Sequence, residues 1–121
     1  MTTTTSLFRE SEGEAIGAGT AIFKAGDPAE HLFVVKSGAV EIKLGDKVLE
    51  RVGPGGMFGE MALIDDRDRS ADAIAAEDSL VVPIDKKRFE FLITETPFFA
   101  RTVLKVLVER LRNETREVAC T

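Results

Sequence analysis

Between Thr20 and Val82 the chain is a succession of short runs of Val, Ile, Leu and Phe, separated by glycine-containing turns. Val40, Ile42 and Leu44 alternate with charged residues, which is the period-two pattern of a half-buried strand. Short strands at close, even spacing favour an antiparallel sandwich or roll. The predicted strands are Thr20–Lys24, Leu32–Lys36, Val40–Leu44, Val48–Val52, Ala71–Ala76 and Leu80–Ile84.

Two helices are predicted after the last strand. Asp85 can cap the first, because its carboxylate accepts hydrogen bonds from the unpaired N–H groups of a first turn, and this helix extends to about Thr94. Pro97 suits the first turn of a longer helix. The apolar side of that helix is wide enough to cover the β body and also a ligand or a second copy of the chain. Its residues at i, i+4 spacing are Phe99, Val103, Leu107 and Leu111.

We therefore predict a mainly β fold with flanking helices, in the form of an antiparallel, jelly-roll-like β-roll followed by two C-terminal helices. A chain of 121 residues suits one domain, which we place over residues 1–121, with the roll at about 17–84 and the helices at about 85–117. The sequence contains no apolar run long enough to span a membrane and no signal-peptide pattern. A cytoplasmic protein without membrane insertion is expected.

Charge and the rare residue types narrow the function. The net charge is −5 and basic residues are interspersed with acidic ones, so we expect no nucleic-acid partner, which would require a basic patch. Cys120 is the only cysteine, so an internal disulfide is impossible. His31, the only histidine, is predicted at the surface. A metalloenzyme on a similar β-roll would need several converging His and carboxylate ligands, so we predict no catalytic residue, metal or cofactor.

One segment near the middle of the chain carries the functional signal. Gly59 permits close backbone approach, and the residues after it favour a short helical turn, whose N-terminal N–H groups attract anions. Arg69 offers a planar fork that matches two phosphate oxygens, and the small Ser70 and Ala71 leave their backbone N–H groups accessible. Glu60 is an acceptor for a hydroxyl. The segment therefore fits a ribose phosphate better than a bare phosphate.

In sequence order the segment is Phe58-Gly59-Glu60, then Met61-Ala62-Leu63, then five residues, then Arg69-Ser70-Ala71. This pattern resembles the phosphate-binding cassette of the cyclic nucleotide-binding domain family, which includes regulatory subunits of cAMP-dependent kinase, cyclic nucleotide-gated channels and bacterial catabolite activator proteins. Phe23–Asp27 and Phe33–Gly38 look like the family's two preceding strands with their turns. The C-terminal helices look like its hinge and lid helices.

The resemblance implies a role for each residue of the cassette. Arg69 would pair with the cyclic phosphate, and the backbone N–H groups of Ser70 and Ala71 would donate to its oxygens. Glu60, helped by the backbone of Gly59, would accept a hydrogen bond from the ribose 2′-hydroxyl. The implied site also includes Phe58 and a short helix built from Met61, Ala62 and Leu63. The base would be covered from the last helix, where the candidates are Leu107, Arg110 and Leu111.

The implied ligand is cAMP or cGMP, with cAMP favoured. The implied function is that of a non-catalytic sensor, whose last helix closes over the ligand and then contacts an unknown effector protein or a second copy of the chain, as in a homodimer. The alternative is a degenerate domain that keeps the fold, binds no nucleotide and acts only in protein interaction.

An acidic loop inside the cassette is the basis of that alternative. Asp68 stands where many family members have proline, and the other nearby aspartates are Asp65, Asp66 and Asp72. Carboxylates that point inward would oppose an anion, whereas carboxylates that point outward form a solvated loop, which is what we expect. Arg67 competes for the anion-binding role, but the spacing favours Arg69. The alternative role of Arg69 is a salt bridge to one of these aspartates.

Overall fold

The computed structural model describes residues 12–120, with side chains to Arg112. Eight strands and three helices follow one another along this part of the chain. They are β1 (Glu14–Ile16), β2 (Ala21–Phe23), β3 (His31–Ser37), β4 (Val40–Leu44), β5 (Lys47–Val52), β6 (Met57–Phe58), α1 (Glu60–Asp65), β7 (Asp72–Ala75), β8 (Ser79–Asp85), α2 (Lys86–Glu95) and α3 (Pro97–Cys120).

The strands form two four-stranded sheets in which every pairing is antiparallel, with orders β1-β8-β3-β6 and β2-β7-β4-β5. Inward-facing apolar side chains from both sheets share one core cluster, because alternate residues of a strand point to the same face. The buried members of this cluster are Val35, Val40, Val52, Phe58, Ala73 and Val81. The predicted antiparallel β-roll followed by two C-terminal helices is confirmed.

The turn between β3 and β4 packs tightly against the start of β8. Gly38, between β3 and β4, has φ +86°, and a Cβ atom there would lie 2.2 Å from Ser79 Oγ and 2.5 Å from the carbonyl oxygen of Asp78. The buried Ser79 hydroxyl accepts a hydrogen bond from Ala39 N at 3.1 Å and donates to the Glu77 carbonyl at 2.8 Å. Only a residue without a side chain fits at position 38.

All six predicted strands are present; β4 has the predicted ends, and the ends of the other five differ by at most one residue. The sequence analysis missed β1, which lies before the predicted start of the roll at residue 17, and β6. Both are too short for a period-two pattern, and β6 follows directly on Gly55-Gly56, a pair that is typical of a turn. The helix α2 begins directly after Asp85, the predicted cap, and ends at Glu95 rather than Thr94.

The structure divides into two compact units, one ending at Lys86 and the other beginning at Lys87. The single domain that we predicted over residues 1–121 stays a prediction. Within the helical unit, Thr96 joins the two helices, since its N–H donates to Leu92 and its carbonyl accepts from Phe99 N, each at 2.9 Å. None of the described helices has the length and apolar character needed to cross a membrane.

The predicted apolar side of α3 becomes less buried along the helix. Phe99 is fully buried and meets Phe89 edge to face, with ring centroids 6.0 Å apart. Val103 is buried, Leu107 is half-buried and Leu111 is 62% exposed. The thiol of Cys120 lies outside the described side chains.

Candidate functional site

Arg69 occupies the centre of the candidate site. Its side chain is only 6% exposed, although it stands in the loop between α1 and β7. The guanidinium Nη1 donates to the carbonyl oxygen of Gly59 at 2.7 Å, and Nη2 donates to the carbonyl oxygen of His31. The buried Nε has no acceptor among the described residues. A guanidinium has further N–H donors beyond these two bonds, so Arg69 retains the capacity to bind an anion.

Two backbone hydrogen bonds hold the loop at Arg69. Arg69 N donates to the carbonyl oxygen of Asp27, and Gly26 N donates to the carbonyl oxygen of Arg69, each at 2.8 Å. The turn that follows β2 is itself closed by a bond from Lys24 N to Asp27 Oδ2 at 2.9 Å. The turn after β2 therefore determines where the arginine backbone sits, which the sequence analysis did not foresee.

Gly59 is the residue that allows the arginine to come so close. It has φ +82°, in the region that L-residues rarely adopt, and it directly precedes α1. A Cβ atom at this position would lie 2.7 Å from Arg69 Nη1 and 3.4 Å from a ring carbon of Phe23. The predicted short helical turn is present as α1, which extends beyond Met61–Leu63 at both ends.

Glu60 is the most deeply buried polar residue of the cassette. Its exposure is 0%, and neither carboxylate oxygen is accessible to solvent. Of the other predicted site residues, Phe58, Leu63 and Ala71 are buried, Ala62 is half-buried, and Met61 and Ser70 are exposed. The chain thus places a buried acid, Glu60, at the start of α1 and the buried Arg69 nine residues later, with the carbonyl of Gly59 bonded to the arginine.

The acidic loop is solvated over most of its length. Asp65 and Asp68 are exposed, and Asp66 is also exposed and pairs with Lys86 Nζ at 2.6 Å. Asp72 is half-buried and accepts a hydrogen bond from Ala25 N at 2.8 Å, so it braces the turn after β2. Asp65, Asp66 and Asp68 are solvated as expected, whereas the expectation was wrong for Asp72, because its carboxylate bonds the backbone of the neighbouring turn.

Arg67 and Arg69 differ in burial and in pairing. Arg67 is exposed, whereas Arg69 is buried and makes no ion pair within residues 12–112. Burial lowers the pKa of the Arg69 guanidinium, and the negative charge of Asp27 partly opposes this effect. An arginine remains protonated at neutral pH even so. Arg69 is therefore a buried cation near the surface of the roll.

An aromatic cluster beside Arg69 was not recognised from the sequence. The guanidinium carbon lies 4.0 Å from the ring centroid of Phe23, and that ring lies 6.1 Å from Phe33 and 6.0 Å from Phe58. His31, predicted at the surface, is half-buried, and its ring centroid is 6.2 Å from that of Phe33. The prediction failed because β3 begins at His31, one residue before the predicted strand.

The three candidates for covering the base all lie on α3, in the helical unit. Leu107 and Arg110 are half-buried, and Leu111 is exposed. Their role stays a prediction.

The family model of the cyclic nucleotide-binding domain matches residues 14–96, so the chain belongs to the cyclic nucleotide-binding domain family. It is 36% identical over 105 residues to the cyclic AMP receptor protein of Thermus thermophilus, covering 83% of this chain and 49% of that protein. It is 32% identical over 104 residues to a cyclic nucleotide-gated potassium channel of Mesorhizobium japonicum, covering 86% of this chain and 29% of the channel.

Among solved structures, the crystal structure of the Thermus thermophilus catabolite activator protein is similar with a TM-score of 0.80 and 33% identity. The similarity covers 95% of this chain and 55% of that one. The chain spans about half of the receptor protein's length and less than a third of the channel's. The predicted family is confirmed.

Proposed function

We propose that this chain binds a 3′,5′-cyclic nucleotide and acts as a non-catalytic sensor. The observation that carries the proposal is the state of Arg69, a buried cation with no carboxylate partner within residues 12–112 and with no acceptor for its Nε. Burying a charge without a counter-ion is costly. An anionic ligand at this point supplies both the counter-charge and the missing acceptor.

The remaining groups of the cassette suit a sugar phosphate. Arg69 binds the cyclic phosphate, and the backbone N–H groups of Ser70 and Ala71 donate to its oxygens. Glu60 accepts a hydrogen bond from the ribose 2′-hydroxyl, with help from the backbone of Gly59. Phe58, Met61 and Ala62 complete the ligand-binding segment.

Ligand binding on this proposal changes the partners of Arg69. A phosphate carries a full negative charge, so its hydrogen bonds to a guanidinium add an ionic attraction that a neutral carbonyl does not offer. A phosphate therefore competes with the neutral carbonyl acceptors that the guanidinium now uses, those of Gly59 and His31. The ligand shifts the population towards a conformation in which the last helix covers the base. The side chains that cover it are those of Leu107, Arg110 and Leu111.

We further propose that cAMP is preferred to cGMP, that the closed helix contacts an effector protein or pairs with a second copy of the chain, and that nucleic acid is not a partner. The similar Thermus thermophilus protein is named a cyclic AMP receptor, which supports cAMP as the first ligand to test. The cytoplasmic location stays a prediction.

Isothermal titration with cAMP and with cGMP tests the proposed function. The matched control ligand is 5′-AMP, which has the same base and ribose but an open phosphate ester. We expect saturable heat with cAMP, weaker binding of cGMP and little or no binding of 5′-AMP. Absence of both heat and thermal stabilisation with either cyclic nucleotide would show the degenerate alternative to be correct.

A further inference from the structure

Phe23 lies against the guanidinium of Arg69 in a geometry that hydrogen bonding does not explain. The guanidinium carbon is 4.0 Å from the centre of the Phe23 ring. A cation over an aromatic face within about 6 Å is attracted by the ring's quadrupole, and arginine stacks in this way more readily than lysine because it is planar. The guanidinium carbon lies over the face of the ring, and Nη1 and Nη2 still donate to the carbonyl oxygens of Gly59 and His31.

The local structure of β2 directs the ring to this place. Phe23 is the last residue of β2 and pairs with Ala73 of β7, and the register shifts between Ala21 and Phe23. A register shift within a strand changes the direction of the side chains that follow it. On the other side, Gly59 lacks the Cβ atom that would stand 3.4 Å from the Phe23 ring and 2.7 Å from Arg69 Nη1. The absent side chain lets the ring and the guanidinium come into contact.

The ring is in turn supported by its neighbours. Phe33 and Phe58 are stacked, with centroids 5.2 Å apart and ring planes at 15°, and Phe23 is tilted against both. Phe58 is fully buried, which makes it a rigid anchor for the other two rings. Phe23 is therefore packed between the guanidinium of Arg69 and two neighbouring rings.

We infer that Phe23 is a positioning residue for Arg69, an aromatic platform that holds the guanidinium in place while its Nε, which has no acceptor among the described residues, remains available to an anion. This inference rests on the proposed function, since the anion is the cyclic phosphate. A platform of this kind contributes to ligand affinity without contacting the ligand, because the arginine is oriented before the anion arrives. We therefore expect the affinity for the ligand to depend on an aromatic side chain at residue 23, and only as long as Arg69 is present.

Phe23→Leu tests the inference, with Phe33→Leu as the matched control. Both rings are half-buried members of the same cluster, but no stacking of Phe33 on the guanidinium occurs. We expect Phe23→Leu to weaken cAMP binding about 3- to 30-fold, Phe33→Leu to have a smaller effect, and Phe23→Tyr to restore binding. In an Arg69→Ala background, Phe23→Leu should cause no further loss. Equal losses in the two leucine variants, or a loss that persists without Arg69, would overturn the inference.

The NMR resonance of Arg69 Nε–H gives a readout that requires no ligand. A proton held over a ring face is shifted upfield by the ring current, and this shift should disappear in Phe23→Leu and remain in Phe33→Leu. If the wild-type chain binds neither nucleotide, the proposed function fails, and this resonance alone decides whether Phe23 orients the guanidinium. If Phe23→Leu does not fold, an unshifted Nε–H resonance in the wild-type protein overturns the inference.

Discussion

Arg67 and Arg69 are separated by a single residue but lie in opposite environments. Arg67 is exposed to solvent, whereas Arg69 is buried, donates to two backbone carbonyls and lies over an aromatic ring. The sequence spacing alone favours Arg69 over Arg67 as the anion-binding residue. The structure supplies a physical difference between them, and this difference can be measured.

Replacing each arginine by alanine should separate the two roles. A charge-assisted hydrogen bond contributes roughly 1.5–3 kcal/mol, so Arg69→Ala should weaken cyclic nucleotide binding by about one to two orders of magnitude or more. Arg67→Ala should change affinity far less, because its side chain is solvated. Titration calorimetry measures both affinities, and thermal unfolding verifies that each variant is folded. Equal losses would mean that Arg69 is not the anion-binding residue.

Gly59→Ala should have a larger effect on the affinity for cAMP than on the free energy of unfolding. The new Cβ would stand 2.7 Å from Arg69 Nη1, which can move aside because it ends a flexible side chain, and the guanidinium would lose its position. Gly55→Ala is the control, since Gly55 has nearly the same positive φ, +85°, with no atom within 4 Å of the added Cβ. Each change should cost about 1–2 kcal/mol of backbone strain. Only Gly59→Ala should weaken cAMP binding, and comparable affinities in the two variants would contradict this account.

Gly38→Ala should destabilise the roll severely. A Cβ atom at residue 38 would overlap Ser79 Oγ and the carbonyl oxygen of Asp78, and the second of these is backbone and cannot move alone. Strain and overpacking together predict a loss of about 3–5 kcal/mol in the free energy of unfolding. Gly45→Ala, at φ +60° in the β4–β5 hairpin with no atom within 4 Å, should lose only about 1–2 kcal/mol. Urea unfolding of both variants measures the difference.

Asp66 combines a strained backbone with a surface ion pair, and two substitutions distinguish these effects. It has φ +56° at the end of α1, and its carboxylate pairs with Lys86. Asp66→Gly and Asp66→Ala both remove the ion pair, which contributes little because both partners are exposed. The glycine variant should be about 1–2 kcal/mol more stable than the alanine variant, because glycine adopts this φ without strain. Equal free energies of unfolding for the two variants in urea would show that the backbone of residue 66 is not strained.

The sequence predicted the parts of this fold that local patterns encode. Alternating apolar residues such as Val40 and Ile42 indicated strands, and glycines indicated turns. It did not reveal β6, whose two residues show no period, nor the pairing of β2 with β7 that brings Phe23 to the cassette. Contacts between residues far apart in the chain depend on sheet register, which no short pattern specifies.

The candidate site was predictable to a similar extent. The cassette could be located because its glycine, acid and arginine are close together in the chain. The carbonyl of His31 and the ring of Phe23 come from distant strands, and nothing in their immediate sequence marks them as neighbours of Arg69. The direction of the acidic loop also required the structure, since an aspartate side chain can point inward or outward from the same sequence.

The complete burial of the Glu60 carboxylate has a kinetic consequence. A ribose hydroxyl can reach these oxygens only after residues around them have opened, so encounter with the ligand and formation of the final complex are separate events. If opening comes first, the observed association rate should level off at high nucleotide concentration instead of rising linearly with it. The apparent dissociation constant would then exceed the intrinsic one by the inverse of the open fraction. If Glu60 recognises the sugar as proposed, the same acid would also set how fast the chain responds to its ligand.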